Sequence, residues 1–291
     1  LRVQAFAKIN LTLEILGRRT DGFHEVKTVL QTIDLADRLD IEPAVHLRVD
    51  CDDPALDGDA NLVWQAATML AKHAGIEPRA QIFLRKRIPV GVGLGGGSSD
   101  AAAALLALNQ LWSTRLSWDT LYTFAAELGS DVPFFLRGGT ALAEGRGERI
   151  SPLPSLPKTP VLLVCPDETQ ANKTGRLYSM ITPANYSDGG VTRRLVQTMV
   201  GGQLDVSMLQ NVFEYVADQA FPGLSDLYQR LVGLVESPPH LSGAGPALFC
   251  LPSDEEEYRK VTKALHYCKV STYLVSAIIP RPGKENLTSF G

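Results

Sequence analysis

The chain has 291 residues, 45 % hydrophobic and 21 % charged, with a net charge of −4. That length exceeds one ordinary core and predicts two domains, while the acidic balance speaks against nonspecific nucleic-acid binding. No apolar run long enough for a membrane span occurs, and Cys51, Cys165, Cys250 and Cys268 lack CxxC spacing, so reduced thiols in a cytoplasmic protein are expected.

Val3, Ala5, Ala7, Ile9, Leu11, Leu13 and Ile15 alternate with Gln4, Lys8, Asn10, Thr12 and Glu14. A period of two predicts a strand whose polar face, carrying Lys8 and Asn10, is solvated. The opening residues enter this strand pattern directly, and no signal or transit peptide is expected. Arg18–Gly22 reads as a turn, followed at once by Phe23 and His24. Strands are expected near 26–35, 38–42 and 46–51, then a loop over 52–58. Asp59 is expected to cap a helix from Asn61 to His73, with Leu62 and Val63 on its apolar side. A strand over 80–88 has one parity break, Lys86, whose ammonium is expected in water at the strand end.

Pro89-Val90-Gly91-Val92-Gly93-Leu94-Gly95-Gly96-Gly97-Ser98-Ser99-Asp100 follows, and then an Ala/Leu-rich helix, roughly 99–112. Five glycines in seven residues are expected to lie outside any helix, because each costs backbone entropy there. Bare amides aimed from a helix N-terminus make a phosphate cradle. No lysine follows Gly97, which excludes a P-loop. Gly91, Gly93 and Gly96 fit the dinucleotide fingerprint, but the preceding strand is not the continuous apolar run of that fold. A nicotinamide oxidoreductase therefore stays a distant alternative.

Ser117 opens a helix that stops at Gly129. Asp131, in Gly129-Ser130-Asp131-Val132-Pro133, reads locally as a helix cap or turn residue. Gly138–Gly145 reads as a strand with a turn. Ser151–Pro160 holds four prolines in ten residues and is expected to be a connector that joins no sheet. A buried strand over 161–165, a helix placing Thr174 and Tyr178 on one face, and helices near 208–220 and 224–236 follow. A glycine turn at Leu241–Gly245 opens into a strand ending at Cys250. A helix over 254–266 and a strand over 270–278 close the pattern.

Four segments, Ala7–Asn10, Asp21–His24, Pro89–Ala102 with Gly129–Pro133, and Leu241–Gly245, resemble in order the motifs of the GHMP small-molecule kinases. That family includes galactokinase, homoserine kinase and mevalonate kinase. Its loop has the form Pro-x-x-x-Gly-Leu-Gly-Ser-Ser-Ala-Ala; here Gly96-Gly97 is inserted before Ser98-Ser99, and Asp100 precedes the alanines. The resemblance implies an α+β, two-domain GHMP-kinase-like fold, 1–155 binding ATP and 156–291 completing it, with the active site in the interdomain cleft. It implies Lys8 and Asp131 as catalytic, Asp131 as the base that abstracts the substrate hydroxyl proton. Pro89 to Ser99, Lys86, Asn61 and Leu62 are implied to hold ATP, and Ser99 or Ser98 to contact Mg²⁺. Asn10, Phe23, His24, Thr174 and Tyr178 are implied to bind the substrate, with Gly243, Ala244 and Gly245 closing over the phosphates.

The Asp-Gly-Phe-His motif and the longer glycine loop point to the branch that phosphorylates the 2-hydroxyl of cytidine diphospho-methylerythritol, in non-mevalonate isoprenoid precursor synthesis. Phe23 stands where tyrosine is commoner and keeps the stacking face. The implied partners are that small molecule and ATP, with no nucleic acid and no membrane, in a monomer or homodimer. A sister kinase acting on homoserine, mevalonate or a sugar, and a nucleotide-binding module without catalysis, are the alternatives.

Overall fold

The computed structural model describes residues 1–167 and 173–280. Strand β1 (Arg2–Arg18) pairs antiparallel with β2 (His24–Glu42) across the 19–23 turn. The two strands expected over 26–42 are one. β3 (Arg48–Cys51), α1 (Leu62–Ala74) and β4 (Gln81–Arg85) follow. Helices α2 (Gly96–Leu111), α3 (Trp118–Leu128) and α4 (Val132–Phe135) lead to β5 (Thr140–Gly145) and β6 (Arg149–Pro152). β2 stays unbroken because its outer edge is paired along both halves, Val26–Gln31 with β5 and Arg38–Glu42 with β4.

The chain then crosses to β7 (Pro160–Pro166), α5 (Lys173–Met180), α6 (Gly190–Val200), β8 (Gln210–Asn211), α7 (Ala217–Ala220) and α8 (Leu224–Val232). β9 (His240–Leu241), β10 (Leu248–Cys250), α9 (Glu255–Ala264) and β11 (Val270–Ser276) complete it. One sheet has the order β3-β4-β2-β1-β8, with β5 beside β2 and β6 beside β5; the other runs β11-β7-β10-β9.

Several expectations need correction. Asn61, not Asp59, caps α1, its side chain accepting from the Val63 amide at 2.9 Å. The proline segment does enter a sheet: Ser151 and Pro152 pair with Leu142 and Ala141. They do so on an edge strand, where a missing N–H is tolerated. The helix expected over 208–220 is broken into short turns and β8. Asn211 breaks it, its side chain accepting from the Phe213 amide and donating to the carbonyls of Leu241 and Gly243. Helix α6 was not expected, because Gly189-Gly190 punctuates its start and Leu195 and Met199 are its only fully buried apolar residues.

β1 is the seam of the molecule. On its apolar side Val3 and Ala5 pack with Leu70, Leu105 and Leu108 of α1 and α2. Ala7, Ile9 and Leu11 pack with Val161, Leu163 and Phe249 of the second sheet. Leu13 and Ile15 pack with Leu162, Val164 and Phe213. Ile9, Leu11 and Ile15 are fully buried, each contributing about 1.5–3 kcal/mol. The polar side, expected in water, is buried too: Lys8, Asn10, Thr12 and Glu14 all lie inside. Each has found a partner. Glu14 accepts from Ser187 and from the Thr192 amide at the start of α6, and Thr12 meets Thr192. A row of polar groups alternating with the core thus joins the two halves of the chain.

Candidate active site

β1 is bulged between Phe6 and Lys8 and again between Asn10 and Thr12. Bulges re-aim side chains locally, and these two bracket the pair expected to matter. The Lys8 ammonium donates to Asn10 Oδ1 at 2.7 Å and to the Gly93 carbonyl at 2.9 Å, and lies 3.6 Å from Asp131 Oδ2. Burial lowers the Lys8 pKa, while the charge and hydrogen bonding of Asp131 oppose the shift. Asn10 in turn donates to Thr28 Oγ1 at 2.8 Å. Asp131 stands at the N-cap of α4 yet makes no capping hydrogen bond. Its carboxylate faces Lys8 instead.

The glycine loop is held from below by its aliphatic residues. Val92 and Leu94 are buried in the core between the sheets. Their side chains therefore anchor the loop, and any role they have toward a ligand falls to their backbone. The Val92 carbonyl accepts from the Ala247 amide and that of Leu94 from the Lys8 amide, both at 3.0 Å. Pro89 is half-buried, whereas Val90 and Gly91 are exposed. α2 begins at Gly96, so Gly96 and Gly97 lie inside its first turn, against expectation. The turn has no side-chain cap and no acidic residue. Its free amides and the positive end of the helix dipole are thus left for an anion.

Beneath this junction Lys86 bridges Asp37 and Asp100, at 2.5 and 2.7 Å. The Asp37 carboxylate also accepts from the amides of Arg87 and Ile88, fixing the corner that leads into Pro89. Lys86 is thus not in water as expected, but locked under Gly96, 3.2 Å from where a Cβ there would sit. Asn61 spends its side chain on capping α1, and Leu62 lies 3.9 Å from a Cβ position on Gly97. Ser99 is buried, and its hydroxyl donates to the Phe6 carbonyl at 2.7 Å, which leaves its lone pairs to face a cation. Among the described residues no group of three His, Cys, Asp or Glu side chains could hold a metal ion.

The turn Ser242–Gly245 packs directly on the loop. A Cβ on Gly93 would lie 2.1 Å from the Ser242 carbonyl oxygen and 2.8 Å from the Gly245 nitrogen; one on Gly243 would meet Lys8 Nζ at 2.7 Å. Gly93 and Gly243 are required by close approach of protein to protein. Gly245 is likewise buried, and Ala244 half-buried. Lys173, which no sequence signal marked, donates from the start of α5 to the Gly245 carbonyl.

At the far end, the His24 ring stacks on Tyr178 with centroids 5.0 Å apart, and Tyr178 meets Phe213 edge-on at 4.9 Å. Burial, and then the charge of Arg18, lower the His24 pKa. Phe23, half exposed, lies outside this cluster with the Arg146 guanidinium over its ring at 4.8 Å. Thr174 is exposed.

A glycine loop feeding a helix N-terminus, beside a buried lysine and an unspent carboxylate, defines a small-molecule kinase site of the GHMP class. The GHMP kinases N terminal domain matches residues 61–139. A 4-diphosphocytidyl-2-C-methyl-D-erythritol kinase of Dehalococcoides mccartyi is 38 % identical over 96 % of this chain and 99 % of its own length. A kinase of that name from Gloeobacter violaceus is 39 % identical, over 91 % of this chain and 90 % of its own. A crystal structure of 4-(cytidine 5'-diphospho)-2C-methyl-D-erythritol kinase superposes with a TM-score of 0.80 at 34 % identity, covering 95 % of this chain and 98 % of the other. The homoserine kinase of Cytophaga hutchinsonii, at 21 % identity and a TM-score of 0.72 over 96 % of this chain and 95 % of its own, shares the fold. The chain belongs to the family of 4-diphosphocytidyl-2-C-methyl-D-erythritol kinases.

Proposed function

We propose that this protein transfers the γ-phosphoryl group of ATP to the 2-hydroxyl of 4-diphosphocytidyl-2-C-methyl-D-erythritol, in the methylerythritol phosphate route to isoprenoid precursors. The observation that carries the reading is Lys8, whose ammonium touches both the glycine loop at Gly93 and the carboxylate of Asp131. Phosphoryl transfer depends on alignment and charge stabilisation more than on covalent help. The amides of 91–97 and the uncapped start of α2 receive the triphosphate. Asp131 takes the hydroxyl proton, general-base work that typically contributes ~10²–10⁴-fold. Lys8 places a positive charge beside the developing alkoxide. Asn10 fixes the lysine.

At the other end, His24 reads the polar edge of cytosine while Tyr178 and Phe23 supply stacking faces. A neutral imidazole offers one donor and one acceptor there. Gly243 to Gly245 hold the loop closed against Lys8. Mg²⁺, when bound, would neutralise phosphate charge, with Ser98 or Ser99 as the expected protein contact. The setting is cytoplasmic.

Purified protein with ATP, offered this cytidine diphospho-alcohol, homoserine, mevalonate and galactose in parallel, tests the proposal. Turnover confined to the first is expected. Turnover of one of the other three instead would overturn the substrate.

A further inference from the structure

Lys173 carries the inference. The residue is 9 % exposed, and its ammonium donates to the Gly245 carbonyl, in the turn that packs against Gly93. Lys8 lies near enough for its charge to reach Lys173. Two ammonium groups are thus buried around one glycine turn, and the carboxylate of Asp131 pairs with Lys8. Among the described residues Lys173 forms no ion pair, and the first turn of α5 holds no acidic residue. A buried cation facing only a carbonyl dipole and a second cation is a costly arrangement unless an anion completes it. Burial, and then Lys8, push the Lys173 pKa down to about 7, the behaviour of a lysine lacking that anion.

The position says which anion. α5 also carries Tyr178, stacked on His24 at the proposed cytosine end, while Lys8 and Asp131 mark the hydroxyl end. In the substrate a diphosphate joins those two ends.

We propose that Lys173 is a phosphate-binding lysine of this site, holding an oxyanion of the substrate's diphosphate or of the ATP γ-phosphate. The inference rests on the function proposed above. A lone lysine opening a helix reads in sequence as a solvated one, and only the fold sets it against Gly245.

Lys173→Met and Lys173→Arg separate the two sources. If the diphosphate is bound, Lys173→Met raises the KM for the cytidine substrate tenfold or more and leaves the ATP KM unchanged. Calorimetry then finds CDP binding weakened to the level of cytidine, with cytidine affinity unaltered. If the γ-phosphate is bound, kcat falls tenfold or more while both KM values stay within twofold. Lys173→Arg recovers part of either loss. Values of kcat, both KM and the CDP-over-cytidine advantage all within twofold of the parent would overturn the assignment. So would losses that Lys173→Arg fails to relieve although that variant melts like the parent. Should the methionine variant not fold, Lys173→Gln replaces it under the same criteria. Failure of the parent enzyme to phosphorylate the cytidine substrate counts against the proposed function instead, since CDP and cytidine binding read Lys173 without turnover.

Discussion

Lys8 and Asp131 face each other at 3.6 Å, the lysine side chain 3 % exposed and the aspartate 39 %. Because Asp131 caps nothing, replacing it with asparagine removes charge without removing a structural hydrogen bond. Asp131→Asn is expected to lower turnover by ~10²-fold or more while ATP and substrate affinities change only modestly. Lys8→Met should lose a similar factor, and the double variant should be little worse than either. Steady-state kinetics alongside thermal melts check this. An active Asp131→Asn enzyme of parental stability would remove the base.

The loop glycines divide into two kinds, and one pair of variants tells them apart. Gly93, at φ +94°, has the Ser242 carbonyl where its Cβ would be, so Gly93→Ala should destabilise the fold and ATP binding together. Gly97 has ordinary room, its nearest neighbour being Leu62 at 3.9 Å, and it lies inside α2. Gly97→Ala should therefore hold or slightly raise stability, by up to ~1 kcal/mol. Its ATP affinity should still fall about tenfold, from crowding of the phosphate alone. Undiminished ATP binding by Gly97→Ala would place the triphosphate elsewhere. Gly95 cannot make this distinction, since a Cβ there would strike the Phe135 ring at 2.7 Å.

Those cases also mark what was legible in the sequence. β1, α1, α2 and α3 announced themselves by period, cap or glycine stop, and the loop by its glycines, because local chemistry dictates all of these. Burial of the polar face of β1 was not legible: alternation looks the same whether the second face meets water or Thr192 and Ser187 from far along the chain. Lys86 was misplaced for the same reason, its partners Asp37 and Asp100 being 49 and 14 residues away. For Ser99 the sequence shows a hydroxyl beside a phosphate loop. Only the approach of Phe6 reveals that its hydrogen bond is already made.

His24 gives a pH dependence with a definite sign. Its pKa lies below the ordinary histidine value of 6.5, so the ring is neutral at pH 7 and gains its proton only as pH falls further. Protonation would convert the acceptor on the ring to a donor. The KM for the cytidine substrate is expected to vary little between pH 8 and 7 and to rise as the pH falls further. The ATP KM should not follow it, and His24→Gln should abolish the rise. A KM that climbs between pH 8 and 7 would contradict a neutral ring.

Lys173 makes the last prediction, one about stability. Its pKa is about 7 when folded against the ordinary lysine value of 10.5, so between those pH values the unfolded chain binds more protons than the folded one. Stability without ligand should therefore rise with pH across that window, by at most about 1.4 kcal/mol per unit from this group. Below pH 7 the full cost of keeping the ammonium buried is present; near 10.5 it has gone. Lys173→Met removes the group, so it should flatten that part of the slope. At pH 7 it should be more stable than the parent by about 1–4 kcal/mol, as replacement of buried charge by an apolar side chain often is. Denaturant melts of both proteins at pH 7 and pH 9.5 measure the difference directly. Lys8, its own pKa also lowered by burial, adds to the slope of both proteins, so the difference between them reads Lys173 together with its coupling to Lys8. A variant that is less stable at pH 7, with an unchanged slope, would mean that the ammonium is already compensated in the folded chain, and the buried cation would no longer call for an anion.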